Sequence, residues 1–519
     1  MPALYTVLRR PFEVDLRALA LLRAAVAVVL LFDIGIRSSD AEVFYSNLGV
    51  LPLSVLLEHN WNPYQFSLHA SSGLWQVQML LFVLAAAAAL ALLLGYRTRL
   101  MTAICWVLLV SVQNRNPLIL QGGDDLLRML LFWGFFLPWG RMYSFDARHQ
   151  ARPESMVYAS ATTLAYIVQL ALVYWCTALL KNSPEWRQEG TALYYALSLD
   201  QVLMPGGRLL YPFPKLLQVL TWVTFYTELL LPFVLFIPWR VPWWRLLFVG
   251  LMYAFHLGIS LTLFVGLFFL INMASVLGLL PGAVMDWLER RLVPVYQRLG
   301  PQVQERLVRP WANRLAGWET RVQVRVETAV VLPSGTRRLL RAVREGLVLG
   351  LLLYVCWWNL DSIVRPEWTM REPLRWVGYL FRTDQHWGMF APSVFKDDGW
   401  YILDGTTTDG RHLDLNRRGR PTTYAKPASV VALFPNDRWR KYSENYLFVD
   451  NAYMRPYYCN YLLRIWHEDP AHPPLRQLDV IYMKEVSLPN YQVARPTREV
   501  LCSCAPPAPP APPAPPAQP

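Results

Sequence analysis

Long apolar blocks separated by short polar ones fill the first two thirds of the chain. Residues 16–36, 74–94, 100–112, 126–139, 157–180, 216–237, 243–263, 264–280 and 346–363 hold few charged side chains. About 20 apolar residues wound as a helix cross the roughly 30 Å hydrocarbon of a bilayer and leave no backbone group unpaired in lipid. The pattern predicts an α-helical membrane protein, a helical bundle of about nine spans. The block 100–112 is short and extends through Asn116. The stretch 243–280 has no polar loop inside it, so it is either two spans joined by a tight turn or one span plus a re-entrant segment.

Beyond residue 365 the pattern changes. Residues 400–403 and 412–416 flank an Asp409-Gly410 pair, a hairpin signal, and Leu413 and Leu415 alternate with polar neighbours. Residues 429–434 read as another strand, 446–466 as a helix and 475–487 as a final strand. The five regions expected are a bundle of spans one to eight (1–281), an Arg-rich segment (282–345), a last span (346–364), an extracytoplasmic α+β domain (365–504) and a Pro/Ala tail (505–519). The Ala-Pro-Pro repeats of the tail favour an extended polyproline stalk.

Composition agrees with the membrane class. The 519 residues are 54% hydrophobic and only 17% charged, against about 25% charge in soluble domains. The first apolar block is long and no small-residue cleavage site follows it, so it is expected to stay as a signal anchor. Arg9, Arg10 and Arg17 precede span one. Arg97 and Arg99 lie between spans two and three, Arg141, Arg148 and Arg152 between four and five, and Arg240 and Arg245 between six and seven. Cytoplasmic loops are enriched in Lys and Arg, so the N-terminus is expected in the cytoplasm. Nine spans then put everything after 363 outside. The region 282–345, with twelve arginines against six acids, falls on the cytoplasmic side. A basic segment there faces anionic lipid, so the net charge of +12 implies the lipid bilayer as partner and no nucleic acid.

Cys105, Cys176 and Cys356 lie in spans and read as packing residues. Cys459, Cys502 and Cys504 fall outside, where a disulfide from Cys459 to either of the other two is open. No cysteine spacing matches a zinc site, and His467 and His472 sit in a Pro-rich loop without further ligands, so no metal is expected.

Charges inside spans are costly in lipid and mark candidate sites. Arg23 and Asp33 lie ten residues apart in span one, close to one helix face, and either reach toward opposite interfaces or pair with neighbouring helices. Asp124 and Asp125 follow Gly122-Gly123 at the start of span four. They read either as a helix start, where carboxylates meet free N–H groups, or as a pair for acid–base work or cation binding. Glu228 in span six and His256 in span seven are either a proton-handling pair or a structural bond. Lys181 closes an uncharged run, 157–180, and Trp186 follows it. It is either an interfacial anchor or a partly desolvated amine able to act as a base.

Several short motifs fall in order on these spans: Phe44-Tyr45 followed by Gly49-Val50-Leu51-Pro52; Asn116 with Gly122-Gly123-Asp124; Lys181 with Trp186; and His256 with Gly266 and Phe268. Trp387-Gly388-Met389-Phe390-Ala391-Pro392 follows the last span. The set, covering most of residues 10–490, resembles the horizontally transferred transmembrane domain family, related to the vitamin K-dependent gamma-glutamyl carboxylase. In that carboxylase a lysine deprotonates vitamin K hydroquinone, oxygen adds, and the strong base formed removes a γ-proton from a substrate glutamate, which captures carbon dioxide.

The resemblance implies Lys181 as the catalytic base; Asp124 and His256 are the further catalytic candidates. It implies Asn116, Asp125, Trp186, Glu228 and Arg208 as substrate-binding residues, and a membrane quinone or hydroquinone as cofactor. It also implies a bacterial inner (plasma) membrane location with the last domain periplasmic. The sequence departs from the family at Gly122-Gly123-Asp124-Asp125, where the carboxylase carries an Asn-His pair. Either an aspartate replaces that histidine or the full lyase reaction is not run. The expected function is modification of a secreted peptide, or use of a membrane quinone, through a lysine base. The alternative is a non-catalytic maturation or transport factor for a secreted peptide. A third is a transporter relaying protons through Glu228 and His256.

Overall fold

The computed structural model describes residues 2–303, 333–363 and 369–506. The Arg-rich stretch from 304 to 332 and the Pro/Ala tail from 507 lie outside the described residues. The main helices are α1 (Leu16–Ser39), α2 (Trp75–Leu94), α3 (Thr98–Arg115), α4 (Gly122–Phe136), α5 (Ala161–Leu180), α6 (Pro214–Leu230), α7 (Val241–Thr262), α8 (Phe268–Ser275), α9 (Gly282–Val303) and α10 (Ser334–Asp361). After them come α11 (Glu372–Phe381), α12 (Asp437–Leu447) and α13 (Arg455–Glu468).

Among the described residues five helices are long and apolar enough to cross a membrane: α1, α2, α5, α7 and the stretch Pro214–Phe236, which is α6 with its 3-10 continuation. A bent pair, Phe268–Leu279 with Gly282–Leu292, adds a sixth if it is one span; its halves meet at 103°. Helices therefore form at all nine expected blocks, but four of them fall short of that test on their own. α3 ends in Gln113-Asn114-Arg115 and α4 starts in Gly122-Gly123-Asp124-Asp125. The apolar part of α10 is bounded by Arg344-Glu345 and by Asp361. α8 is short because the chain breaks after α7 at Leu263, which is extended, and at Gly266. Gly266 adopts φ +57°, and a Cβ there would lie 2.6 Å from the Cβ of Asp437 on α12, so glycine is what lets the backbone pass under α12.

The spans are apolar on the outside and polar within. On α6, Val219, Val223, Tyr226 and Leu230 are exposed at helical spacing, while Thr221, Phe225 and Glu228 are buried on the opposite side. That is the reverse of a water-facing amphipathic helix and is what a lipid solvent selects. α1 buries Arg23, Asp33 and Arg37. Arg23 donates to the carbonyls of Trp139 and Tyr143, so it pairs with a neighbouring segment.

The C-terminal region is an antiparallel sheet covered by helices. Its strands are β1 (Asp397–Thr407), β2 (His412–Asp414), β3 (Arg420–Pro421), β4 (Leu475–Leu488), β5 (Gln492–Val493) and β6 (Thr497–Cys504). The order is β3-β2-β1-β4-β5, with β6 also paired to β4. The Asp409-Gly410 hairpin forms as expected, Gly410 taking φ +87°. Alternation along β1 sends Trp400 and Ile402 toward Val430, and Tyr401 and Leu403 toward α12 and α13.

Three expectations change here. Residues 429–434 are not a strand but a 3-10 turn (Val431–Leu433), in a segment closed by Pro427 and Pro435, with Val430 packed against the sheet. The helix over 446–466 is broken at Val449–Met454, so two helices stand there. The strand at 475–487 is not the last one. β6 follows it and is tied to α13 by a disulfide between Cys459 and Cys504.

The C-terminal region, which is outer only in lying beyond the helical bundle, is fixed to the bundle by a buried charge cluster. Arg438, near the start of α12, reaches between α1 and α4. It meets Asp33 at 2.7 Å and Asp124 at 2.5 Å, and donates to the Ile119 carbonyl at 2.9 Å. Arg37 meets the same two carboxylates at 2.7 and 2.5 Å and donates to the Tyr45 hydroxyl. Burial alone would lower the pKa of Arg438, but Asp124 and Asp33 hold it well above the usual guanidinium range. Two cations and two anions cancel, so the cluster is neutral as a whole. Removing one member leaves the others short of a partner, and breaking a buried pair costs about 3–5 kcal/mol. Arg438→Ala is therefore expected to lower unfolding free energy by about that much and to open the outer region to limited proteolysis. Arg464→Ala, which breaks the half-exposed pair with Glu42, is expected to cost under about 1 kcal/mol in the same denaturation series.

Candidate functional site

Lys181 sits where α5 runs out. Its N–H donates to the Thr177 carbonyl, and Ser183-Pro184 then starts a new helical turn, Pro184–Arg187, with proline at a position where its missing N–H costs nothing. Arg187 folds back and donates to the carbonyls of Lys181 and Leu179, at 2.8 and 3.1 Å, capping the end of α5. The lysine side chain is thereby turned inward and is only 2% exposed.

Its ammonium touches the Glu228 carboxylate of α6. The Trp186 ring centroid lies 4.2 Å from Nζ. The Trp186 indole donates to the Phe390 carbonyl at 2.9 Å, and the N–H of Ser183 donates to the Pro392 carbonyl. Glu185 holds Lys396 at 2.7 Å. Residues 390–396 of the outer region thus form a roof over the end of α5. Burial disfavours an ammonium and a carboxylate alike, and their mutual contact favours both. Moving one proton from Nζ to Glu228 converts the ion pair to a neutral amine and acid without changing the net charge of the pair; only exchange of a proton with a third group changes that charge, by one.

Tyr174 lies seven residues before Lys181 on α5, about 10 Å deeper along the helix. Its hydroxyl contacts His256 Nε2 of α7 at 3.0 Å and donates to Asn272 of α8 at 3.4 Å. His256 Nδ1 is buried and lacks a hydrogen-bond partner among the described residues. The proposed Glu228–His256 pair does not form. Glu228 is taken by Lys181 and His256 by Tyr174, because α5 lies between the two side chains as their shared partner.

The other sequence candidates lie elsewhere. Asp124 belongs to the Arg37–Arg438 cluster and also accepts from the Gln121 N–H as a helix cap. The helix-start reading of Asp124 holds, and its remaining bonds go to two arginines rather than to Asp125. Asp125 meets Arg128 at 3.0 Å and accepts from the His386 N–H. Asn116 spends its amide on the Phe44 carbonyl and the Leu118 N–H, pinning the turn before α4. Arg208 is exposed and donates to the Ala428 carbonyl. Among the described residues no hydrogen bond or ion pair links Lys181 to Asp124, Asn116 or Arg208. Lys181, Glu228 and Trp186 are the three that meet.

No protein-family model, no curated protein and no solved structure matches this chain.

Sequence reading missed Arg37, Tyr174, Asn272 and Arg438, and noted Phe390 only as part of a motif. Arg37 had a visible signal, four residues after Asp33 on the same helix face. Arg438 had none, since 405 residues separate it from Asp33.

The pair gives a direct energetic expectation. Glu228→Leu strands a buried ammonium and is expected to destabilise the protein by about 3–5 kcal/mol, whereas Lys181→Met with Glu228→Leu restores most of that loss. Denaturant unfolding of the two single variants and the double variant measures the coupling.

Proposed function

We propose that this chain is an integral protein of the bacterial inner membrane, with about nine passes, that uses Lys181 as a base toward a lipophilic hydroquinone. The observation that carries the reading is the sealed pair. An amine is kept from water at the rim of the bundle, with a carboxylate and an indole beside it.

Burial raises the cost of the ammonium, and that is the condition under which a lysine serves as a base at neutral pH. The accepting form is the pair one proton short, a free amine beside the Glu228 carboxylate, and the arriving proton restores the neutral ion pair. The donor set suits a quinol: one amine, the Trp186 ring beside it, and the apolar exposed face of α6 as a route from lipid. A bound hydroquinone would supply a phenolic proton and reducing electrons. Lys181 accepts that proton at Nζ, Glu228 neutralises the ammonium, and Trp186 with residues 390–396 keeps water out. The motif resemblance to the vitamin K-dependent carboxylase family supports the same assignment, and a secreted peptide reaching the site from outside is the expected second substrate.

The test uses full-length protein in nanodiscs with phylloquinone hydroquinone in aerated buffer, dioxygen taking the two electrons, and follows the oxidation by chromatography. Lys181→Ala is expected to lower the rate about 10²–10⁴-fold, the usual contribution of a positioned base. The Lys181→Met/Glu228→Leu variant must fold and be equally slow. A wild-type rate no higher than that of this folded double variant overturns the reading and leaves the alternative, a non-catalytic maturation or transport factor.

The outer region is proposed to face the periplasm, with the N-terminus in the cytoplasm. The Cys459–Cys504 disulfide supports this, since such bonds persist in oxidising compartments. Alkaline phosphatase fused after Cys504 is expected to be active in cells, and the same enzyme fused within residues 304–332 inactive. The opposite pattern reverses the topology.

A further inference from the structure

A second cluster of charges lies apart from the lysine site, at the seam between bundle and outer region. Asp200 belongs to the loop after the helical turn Ala192–Ser198, Asp398 to β1 and Glu485 to β4. Each offers a carboxylate oxygen, and these oxygens all lie within 4.8 Å of one another. Asp398 and Glu485 are directly opposite across paired strands. Like charges in that position repel and destabilise a sheet.

One cation reaches the group. Lys426 Nζ meets Asp200 at 2.5 Å and also contacts Glu485. The other lysines nearby are taken: Lys484 by Asp397 at 2.8 Å, and Lys396 by Glu185 at 2.7 Å. Three carboxylates and one ammonium leave two negative charges. Asp398 shows where the deficit falls. It is 2% exposed, and one of its oxygens accepts from the Asp200 N–H at 2.7 Å. The other, Oδ1, is buried with no hydrogen-bond partner among the described residues. A buried charged oxygen without a donor bears the full cost of its lost hydration.

We propose that Asp200, Asp398 and Glu485 form a divalent-cation site of the calcium class, at which the Lys426 ammonium competes for the same oxygens. An all-oxygen, carboxylate-rich set suits a hard cation. Calcium holds oxygens at about 2.3–2.6 Å in flexible geometry, so it bridges ligands up to about 5 Å apart, whereas magnesium at about 2.0–2.1 Å bridges about 4 Å and demands a strict octahedron. Water completes the shell. The ion joins one bundle loop to two strands of the outer region. Lys426 enters from a loop that Arg208 holds to the bundle through the Ala428 carbonyl at 3.0 Å, which gives Arg208 a positioning role.

The experiment strips full-length protein in detergent with a chelator, desalts it, and titrates calcium chloride and, separately, magnesium chloride by calorimetry. Wild type is expected to bind one Ca²⁺ with Kd of about 10⁻⁴–10⁻³ M, and Mg²⁺ about ten-fold or more weakly. Asp398→Asn is expected to weaken Ca²⁺ binding about 10–100-fold, and Lys426→Gln to tighten it by about ten-fold, because its competitor is gone. Wild-type protein that takes up no Ca²⁺ at about ten times that range overturns the proposal, and so does binding that Asp398→Asn leaves unchanged. Should Asp398→Asn fail to fold, Glu485→Gln stands in on the same terms. Lys426→Gln binding no tighter than wild type overturns the competition.

Discussion

Four side chains with cancelling charges, Asp33, Arg37, Asp124 and Arg438, decide how the two halves of this molecule meet. None tolerates burial alone, since a lone charge in the interior has neither water nor a counter-ion. Together they satisfy one another with short contacts, and Arg438 is the member that comes from outside the bundle. Its geometry admits little slack: one guanidinium must reach two carboxylates on two different helices and a backbone carbonyl. The cluster thus fixes α12 against α1 and α4. Asn436 and Trp439 extend the same grip to Asp40.

Everything at the C-terminal end of α5 depends on that registration. Residues 390–396 roof the lysine only because their region is held at the right height over the bundle. The hydrogen bond from Trp186 to Phe390 and the ion pair from Glu185 to Lys396 cross the same boundary. The lysine site is thus made by both halves: amine, carboxylate and indole from the bundle, and its cover from outside. The two buried charge groups differ in kind. The four-membered cluster is closed on itself and suits a fixed joint. The Lys181–Glu228 pair has one proton that either partner can hold, which suits chemistry. Tyr174, His256 and Asn272 continue a polar line two turns deeper along α5.

Legibility in the sequence followed range. The apolar blocks announced the helices, since a lipid solvent imposes length and composition on each span separately. The Asp409-Gly410 hairpin was readable because a tight turn is set by the residues in it. The error at 429–434 arose because a short apolar run between prolines fits a strand or a turn equally well, and packing against Trp400 and Ile402 decided it. β6 went unseen because its pairing depends on β4 and on the disulfide to α13, not on its own pattern.

The site divides the same way. That Lys181, Glu228 and His256 lie in apolar surroundings is a local property, and the sequence by itself determined it. Which carboxylate meets the lysine was decided only by the tertiary structure. α5 places Lys181 and Tyr174 two turns apart, so Glu228 and His256 each find a partner on α5 and never meet. Arg438 makes the point at longer range. Nothing near it in the chain foretells a buried salt bridge with Asp33, because the energy that places it there exists only when both carboxylates and Arg37 are already enclosed.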